Sequence, residues 1–314
     1  MRRRPPRLIT PAAVSVVATV TLAGCTAPVY GTPPVAPSAP RLTVVVPQGS
    51  MAPLPEAPPD EPAATFNGLQ DRAAQATSAA AKAGADITVL VLDRNTDQRV
   101  SNGNDTAIAI ASVSKLFIAD DLLLQEARGQ TVITPEDRKL LDVMLRSSDD
   151  SAAEVLWNRS GGDAIITRVA TRYGLSSTRP PYDSRWWNTV STAADLVRYY
   201  DMLMNGSGGL PPEQANIILS NLAQSTPTAI DGTQPGGIYP QRFGIPDGLY
   251  AEPVAVKQGW MCCIGSDWMH LSTGVIGPDR RFIMVIGSLQ PTDSDTARRT
   301  ITDAVKIMFP GGRI

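Results

Sequence analysis

The sequence predicts an α+β domain in which an antiparallel sheet is flanked by helices and joined to an all-helical lobe. Two observations lead to this fold class. Runs of strand length and strand composition lie near both ends of the domain, within 86–101 and 254–289. Segments of helix length, with start and stop signals, fill the middle from 112 to 223. We therefore expect the strands from the two ends to share one sheet and the central helices to form a second lobe.

The first predicted elements are a helix and a hairpin. An alanine-rich segment, 66–83, ends before Gly84, a residue that commonly stops a helix. The run Asp-Ile-Thr-Val-Leu-Val-Leu-Asp predicts a strand over 86–93, because β-branched and apolar residues dominate it. The turn 94–97 then leads to a partner strand at 98–101.

The middle of the chain is predicted to be helical. Thr134 is a suitable N-cap for a helix that begins at Pro135. Pro180 and Pro181 indicate a loop at 178–189. The predicted helices are 116–128, 135–146, 151–159, 163–173, 192–205 and 211–223.

Three strands and one helix are predicted to complete the domain. The segment 224–253 is rich in glycine and proline, so we expect only short extended pieces there. The predicted strands are 254–259, 268–276 and 282–289, with a turn at 277–280. The final predicted helix is 293–309.

The N-terminus has the composition of an export signal. Four arginines among the first seven residues precede an apolar stretch, 12–23, that is too short to span a membrane. The stretch leads into Leu-Ala-Gly-Cys, which resembles a bacterial lipoprotein signal and ends at Cys25. The resemblance implies cleavage after residue 24 and a lipid on Cys25, which would anchor the protein to the outer face of the bacterial cell membrane. The alternative is an ordinary signal with an incidental cysteine.

A proline-rich spacer follows the predicted signal. Eleven of the 37 residues from 26 to 62 are proline, and such a segment cannot bury a core. We therefore divide the chain into a signal peptide, 1–24, a lipid-anchored linker, 25–64, and one domain, 65–314. The formal net charge of −2 gives no reason to expect a nucleic-acid partner. We expect the protein to be a monomer.

Ser112 and Lys115 form the pair most indicative of chemistry. Positions three apart lie on one face of a helix, so a hydroxyl and an ammonium would meet at its N-terminal end. A lysine that is partly buried can lose its proton near neutral pH and then deprotonate the serine, which makes the serine a nucleophile. The alternative is a surface lysine near an N-cap serine. Lysine is scarce, with five against 23 arginines, which favours a specific role for Lys115.

Two further motifs follow at suggestive positions. Ser-Asp-Asp at 148–150 comes after a predicted helix, and Lys-Gln-Gly at 257–259 comes near the end of an apolar strand. The order Ser-x-x-Lys, Ser-Asp-Asp, Lys-x-Gly, together with the order of elements, resembles the class A β-lactamase and penicillin-binding-protein superfamily. The likeness covers nearly all of 66–309. It implies a β-lactamase/transpeptidase-like fold.

The resemblance also implies roles for individual residues. Ser112 would be the nucleophile that forms an acyl-enzyme, and the other catalytic groups would be Lys115 as base, Ser148 as proton shuttle and Lys257 as the cation for a substrate carboxylate. The oxyanion hole would consist of the backbone N–H groups of Ser112 and Trp260. Substrate contacts would come from Asp150, Gln258 and Gly259. The implied substrates are β-lactams or peptidoglycan stem peptides, without a metal or other cofactor.

The second and third motifs depart from the family pattern. Asp150 stands where the family has asparagine, and an ionised carboxylate accepts hydrogen bonds but donates none. Its charge would also keep Lys115 protonated, which opposes the role of this lysine as a base. Gln258 replaces a serine or threonine whose hydroxyl contacts the substrate carboxylate.

The loop before the helix at 192–205 departs further. Class A β-lactamases have a glutamate there that activates the deacylating water, whereas 174–191 contains no glutamate and only one acid, Asp183. We therefore expect slow or absent deacylation. Glu154 and Asp150 remain as substitute bases. The rival hypothesis is a pseudoenzyme that keeps the cleft and binds cell-wall peptide or a partner protein without cleaving it.

The remaining candidates carry less weight. His270 is the only histidine and lies in an alternating strand-like stretch, so we interpret it as structural or exposed. One histidine and two adjacent cysteines make a poor metal site.

Cys262 and Cys263 either form a vicinal disulfide or remain two thiols on opposite faces of a strand, and we favour the thiols. A structural envelope protein that uses this pair as a redox element is a third hypothesis. Trp186 and Trp187 either wall a cleft or pack within their own loop.

Overall fold

The computed structural model describes residues 64–314. The predicted signal peptide and Cys25 lie outside the described residues. Within the described part, the chain forms the α+β architecture that the sequence predicts. The strands are β1 Asp86–Asp93, β2 Gln98–Ser101, β3 Ile108–Ala109, β4 Val190–Ser191, β5 Thr228–Ile230, β6 Ile238–Pro240, β7 Val254–Ile264, β8 Asp267–Ile276 and β9 Phe282–Gln290.

The helices fall mainly between β2 and β7. They are α1 Leu69–Lys82, α2 Lys115–Ala127, α3 Pro135–Arg146, α4 Asp150–Arg159, α5 Asp163–Tyr173, α6 Ala193–Asn205, α7 Pro212–Ala223, α8 Ile245–Gly248 and α9 Ser294–Met308. Short 3₁₀ helices add four turns, of which two matter for the site. We call Ala111–Ser114 the serine turn and Trp186–Asn188 the tryptophan turn.

The central sheet joins strands from both ends of the domain. Its order is β2-β1-β9-β8-β7, and every pairing is antiparallel. The pairing of β1 with β9, in which Val89 faces Ile286, confirms that the early and late strands share one sheet. β7 lies at the edge of this sheet, so one side of its backbone is available to the serine turn.

The two faces of the sheet bury separate apolar cores. One core contains residues of α1 and α9, including Leu69 and Ile301, together with side chains of one sheet face such as Met284. The other contains Ile283 and Val285 of the opposite face together with the lobe of α2 to α7. The lobe therefore packs against the face from which Lys115 and Ser148 reach β7.

Two features differ from the sequence prediction. β7 continues through Trp260 to Ile264, five residues beyond the predicted end at Gly259, because its pairing with β8 continues past the glycine. The short ladder β3–β4 was not predicted, since two residues carry no readable periodicity. β5 and β6 are short extended pieces of the kind we expect within 224–253, but their pairing was not predicted. Among residues 64–314, no helix combines the length and the apolar character needed to cross a membrane.

Candidate active site

The serine turn places Ser112 directly before α2. Lys115 is the first residue of that helix, and its Nζ donates a hydrogen bond of 2.8 Å to Ser112 Oγ. The Lys115 side chain is fully buried, whereas Ser112 lines a cavity. Ala111 has φ 45°, a conformation that a residue with a Cβ seldom adopts and that is frequent at functional sites. The i, i+3 spacing therefore brings the hydroxyl and the amine together as the sequence predicts.

Ser148 joins the two lysines of the site. It follows α3 with φ 52°, again in the left-handed region, and its side chain is buried. Its Oγ accepts hydrogen bonds of 2.7 Å from Lys257 Nζ and 3.2 Å from Lys115 Nζ. Its carbonyl accepts a further bond of 2.6 Å from Lys115 Nζ. A single serine thus connects the early helix with the late strand.

Lys115 also pairs with Asp150, the first residue of α4. The distance from Nζ to Oδ1 is 2.6 Å, and 42% of the Asp150 side chain is exposed. Burial lowers the pKa of Lys115, while the negative charge of Asp150 opposes that shift. The charge acts in the direction we expect from the sequence, but burial outweighs it. Asp150 therefore raises the pKa of Lys115 relative to the effect of burial alone, as we expect from the sequence.

Lys257 extends from β7 into the same cluster and is 1% exposed. Its Nζ donates to Ser148 Oγ and, at 3.2 Å, to the Gln258 carbonyl. Burial holds the pKa of Lys257 well below its ordinary value, and the nearby positive charge of Lys115 adds to the effect. Two lysines that repel each other in a desolvated site favour a state in which at least one is neutral.

The three residues that follow Lys257 in β7 have different surroundings. Gly259 allows β7 to approach the serine turn, because a Cβ on it would lie 2.5 Å from the Ile110 carbonyl oxygen. Trp260 lines the same cavity as Ser112, so its backbone N–H stays the predicted second member of an oxyanion hole. The Gln258 side chain is 2% exposed and donates to the Phe243 carbonyl at 2.6 Å. Gln258 thus has a structural partner, and its contact with substrate stays a prediction.

The cavity has a volume of about 430 Å³ and is lined by both polar and apolar groups. Ser112 and Asp150 are among its polar lining residues, and Trp186, Trp187 and Met261 are among its apolar ones. Asp231 lines it as well. Its carboxylate accepts hydrogen bonds from Trp260 Nε1 at 2.8 Å and from Thr233, by its backbone N–H at 2.9 Å and its hydroxyl at 2.6 Å. Volume and lining suit a small organic ligand.

The tryptophan turn forms one wall. Trp186 is 3% exposed and its ring lies over Lys115, with 4.5 Å from Nζ to the ring centroid. The rings of Trp186 and Trp187 meet edge to face at 5.0 Å. Of the two alternatives for this pair, the cleft wall is confirmed, because both residues line the cavity. The packing of Trp186 onto Lys115 was not predicted.

Cys262 and Cys263 lie on the cavity rim, where they are exposed and joined by a disulfide. The preference for free thiols is therefore wrong. It assumed a regular strand with the two side chains on opposite faces, but the register of β7 shifts between Met261 and Ile264. The bulge removes both cysteines from the regular alternation.

The other candidate groups lie away from Ser112. His270 is buried, shares a hydrogen bond of 2.7 Å with the Tyr239 hydroxyl, and has its pKa lowered to about 3 by burial, which confirms a structural histidine. Glu154 accepts a hydrogen bond from Asn158, and Asp183 accepts one from Asn188. Neither acid lines the cavity, which leaves Asp150 as the substitute base closest to the serine. Within residues 64–314, no three His, Cys, Asp or Glu side chains group as metal ligands.

Comparison with known proteins identifies the family. The Beta-lactamase enzyme family matches residues 132–309. A protein named "Putative lipoprotein LppW" in Mycobacterium tuberculosis is 60% identical over 322 residues, which cover 100% of both chains, and the same holds for its counterpart in Mycobacterium bovis. The chain belongs to the β-lactamase enzyme family. Its likeness to mycobacterial LppW, a lipoprotein by name, extends over the whole sequence.

Solved structures support the same fold. A β-lactamase from Chitinophaga pinensis superposes with a TM-score of 0.61 at 15% identity, covering 76% of this chain and 98% of that one. A variant of PBP-A, solved as an acyl-enzyme complex with penicillin G, gives 0.62 at 16% identity, covering 80% and 97%. The β-lactamase/transpeptidase-like fold predicted from the sequence is confirmed.

Proposed function

We propose that this protein is a lipid-anchored active-serine enzyme whose Ser112 is acylated by β-lactams or peptidoglycan stem peptides, with slow deacylation. The observation that carries the proposal is the hydrogen bond of 2.8 Å between Lys115 Nζ and Ser112 Oγ inside a cavity. A buried amine with a lowered pKa is a suitable base for a neighbouring hydroxyl. The family to which the chain belongs supports the substrate class.

The proposed reaction uses the cluster as follows. Lys115 removes the proton of Ser112 Oγ, which attacks the carbonyl carbon of the substrate amide. Ser148, between the two lysines, transfers a proton to the leaving nitrogen as the carbon–nitrogen bond breaks. Two backbone N–H groups, those of Ser112 and Trp260, stabilise the oxyanion, and such donors contribute about 3 kcal/mol each. The product is an ester between the acyl group and Ser112.

The test is covalent labelling with a fluorescent penicillin. The soluble domain, 65–314, is incubated with the probe, and the mass of the intact protein is measured. We expect one adduct in the wild type and none in Ser112→Ala. Ser114→Ala is the matched control, because Ser114 lies in the same turn but donates to the Ala111 carbonyl and does not line the cavity. An adduct that persists in Ser112→Ala, or a folded wild type without one, contradicts the proposal.

A non-hydrolytic binding protein is the second candidate. The observation that favours it is Asp150, whose carboxylate lies 2.6 Å from Lys115 Nζ and replaces the neutral amide of the family pattern. This candidate predicts no adduct, but it predicts that muropeptides raise the melting temperature.

Anchoring through Cys25 is the proposed localisation. It is supported by the Leu-Ala-Gly-Cys sequence and by the name of the mycobacterial relative. We expect Cys25→Ala to move the full-length protein from the membrane fraction to the soluble fraction of a mycobacterial host.

A further inference from the structure

Trp186 covers the buried lysine of the site. Its ring centroid lies 4.5 Å from Lys115 Nζ, and the residue is 3% exposed. The tryptophan turn holds the ring in place, since Thr189 donates from Oγ1 to the Trp186 carbonyl at 2.7 Å. The indole Nε1 is buried and has no hydrogen-bond partner among the described residues. The side chain is therefore positioned by packing.

The ring leaves no room for a water molecule between itself and the amine. A water bonded to Nζ would lie about 2.8 Å from the nitrogen and would need about 3.5 Å to the ring carbons. The sum, about 6 Å, exceeds the 4.5 Å that separates Nζ from the ring centroid. Around Ser112, the nearby groups able to accept a proton are Lys115, Ser148 and Asp150. Trp186 therefore blocks the access of water to this group of acceptors from one side.

We propose that Trp186 keeps the hydrolytic water away from Lys115 and thereby prolongs the life of the acyl-enzyme. The inference rests on the proposed acylation of Ser112. In hydrolysis, a water oxygen forms a bond to the acyl carbon and the bond from that carbon to Ser112 Oγ breaks. A proton of the water passes through a base to Ser112 Oγ, and a carboxylic acid leaves. The step requires water that touches both the acyl carbon and a base. The indole occupies the approach to Lys115, which leaves Asp150, on the cavity wall, as the base that water can reach.

Adduct lifetime is the direct test. The domain 65–314 is labelled with fluorescent penicillin, free probe is removed, and the loss of adduct is followed by intact mass. Because this decay is a first-order process, it does not depend on how fast the adduct formed. We expect Trp186→Leu, which removes the flat ring, to shorten the half-life at least about tenfold. Trp186→Phe keeps a ring and should shorten it about threefold.

The control separates water exclusion from loosening of the loop. Trp157 is also a buried tryptophan, and its Nε1 donates at 3.2 Å to the carbonyl of Ser184, in the loop that leads to the tryptophan turn. We expect Trp157→Leu to lower the melting temperature and to leave the half-life within about twofold of the wild type. Equal shortening in Trp157→Leu would overturn the inference, because loop order would then explain the effect.

The remaining outcomes are also decisive. If Trp186→Leu does not fold, the half-life of Trp186→Phe decides the case. An adduct that forms but has the wild-type half-life in the folded Trp186 variants overturns this inference alone. A wild type that forms no adduct overturns the proposed function and this inference with it.

Discussion

Replacement of Asp150 by asparagine is the most informative perturbation of the site. Acylation requires neutral Lys115, so its rate rises as the pH passes through the pKa of this lysine. Burial lowers that pKa and the charge of Asp150 opposes the shift. Removal of the charge should therefore lower the pKa further and move the curve of rate against pH to lower pH. Asp150→Asn should acylate faster than the wild type on the acidic limb and equally fast on the plateau.

The magnitude follows from the geometry. Two unit charges separated by the observed 2.6 Å attract by about 1.6 kcal/mol in water and by about 6 kcal/mol at an effective dielectric constant of about 20. The Asp150 side chain is 42% exposed, so solvent screens the pair and the lower figure is the better guide. A change of about 1.5 kcal/mol corresponds to about a tenfold increase in rate on the acidic limb.

The assay is the rate of adduct formation with fluorescent penicillin from about pH 5 to pH 9, the range that brackets neutrality. Asp149→Asn is the matched control. Asp149 caps α4 by accepting from the Ala152 N–H, a role that asparagine fills equally well, and its charge acts on Lys115 more weakly than that of Asp150. We expect a smaller shift in this variant. A shift of the Asp150→Asn curve to higher pH, or no shift, would contradict the proposed effect of the Asp150 charge on Lys115.

Three further predictions concern other parts of the structure. Gly259→Ala should lower the free energy of unfolding by about 1–3 kcal/mol and abolish labelling, because its Cβ would meet the Ile110 carbonyl. Normal labelling at an unchanged melting temperature would contradict this prediction. Because burial lowers the pKa of His270 to about 3, stability should fall as the pH drops below about 6.5, by about 2 kcal/mol at about pH 5. Urea denaturation should show this loss in the wild type but not in His270→Gln. Cys262 and Cys263 should resist alkylation until a dithiol reductant is added. Both should then react within minutes, because they are exposed. Alkylation without the reductant would contradict the disulfide.

Much of the fold was predictable because its signals are local and repeated. The bounds of β1, α3 and α5 agree with the prediction. Thr134, for example, marks the start of α3 in the sequence and caps that helix in the structure. The extension of β7 beyond Gly259 was missed because a glycine within a strand weakens the local signal, whereas pairing with β8 decides the outcome. The prediction of free thiols at Cys262 and Cys263 was wrong for a related reason. It assumed a regular strand, and a bulge depends on both strands of a hairpin.

The candidate site was predictable in part. Ser112, Lys115, Ser148 and Lys257 were selected from three motifs, and the structure brings all four together. The position of Trp186 over Lys115 was not foreseen, because its loop carries no periodicity and the contact joins residues 71 positions apart. Asp231 was missed as well. It lies in a segment of glycine and proline, and its partner Trp260 belongs to a different element.

The proposed function depends on the activation of Ser112 by buried Lys115 within a single cavity. Its most direct test is the site of penicillin attachment, read by fragmentation of the tryptic peptide 100–115, which contains Ser101, Ser112 and Ser114. We expect the added mass on Ser112 alone and none on folded Lys115→Ala. An adduct on Ser101 or Ser114, or full labelling of Lys115→Ala, would contradict it.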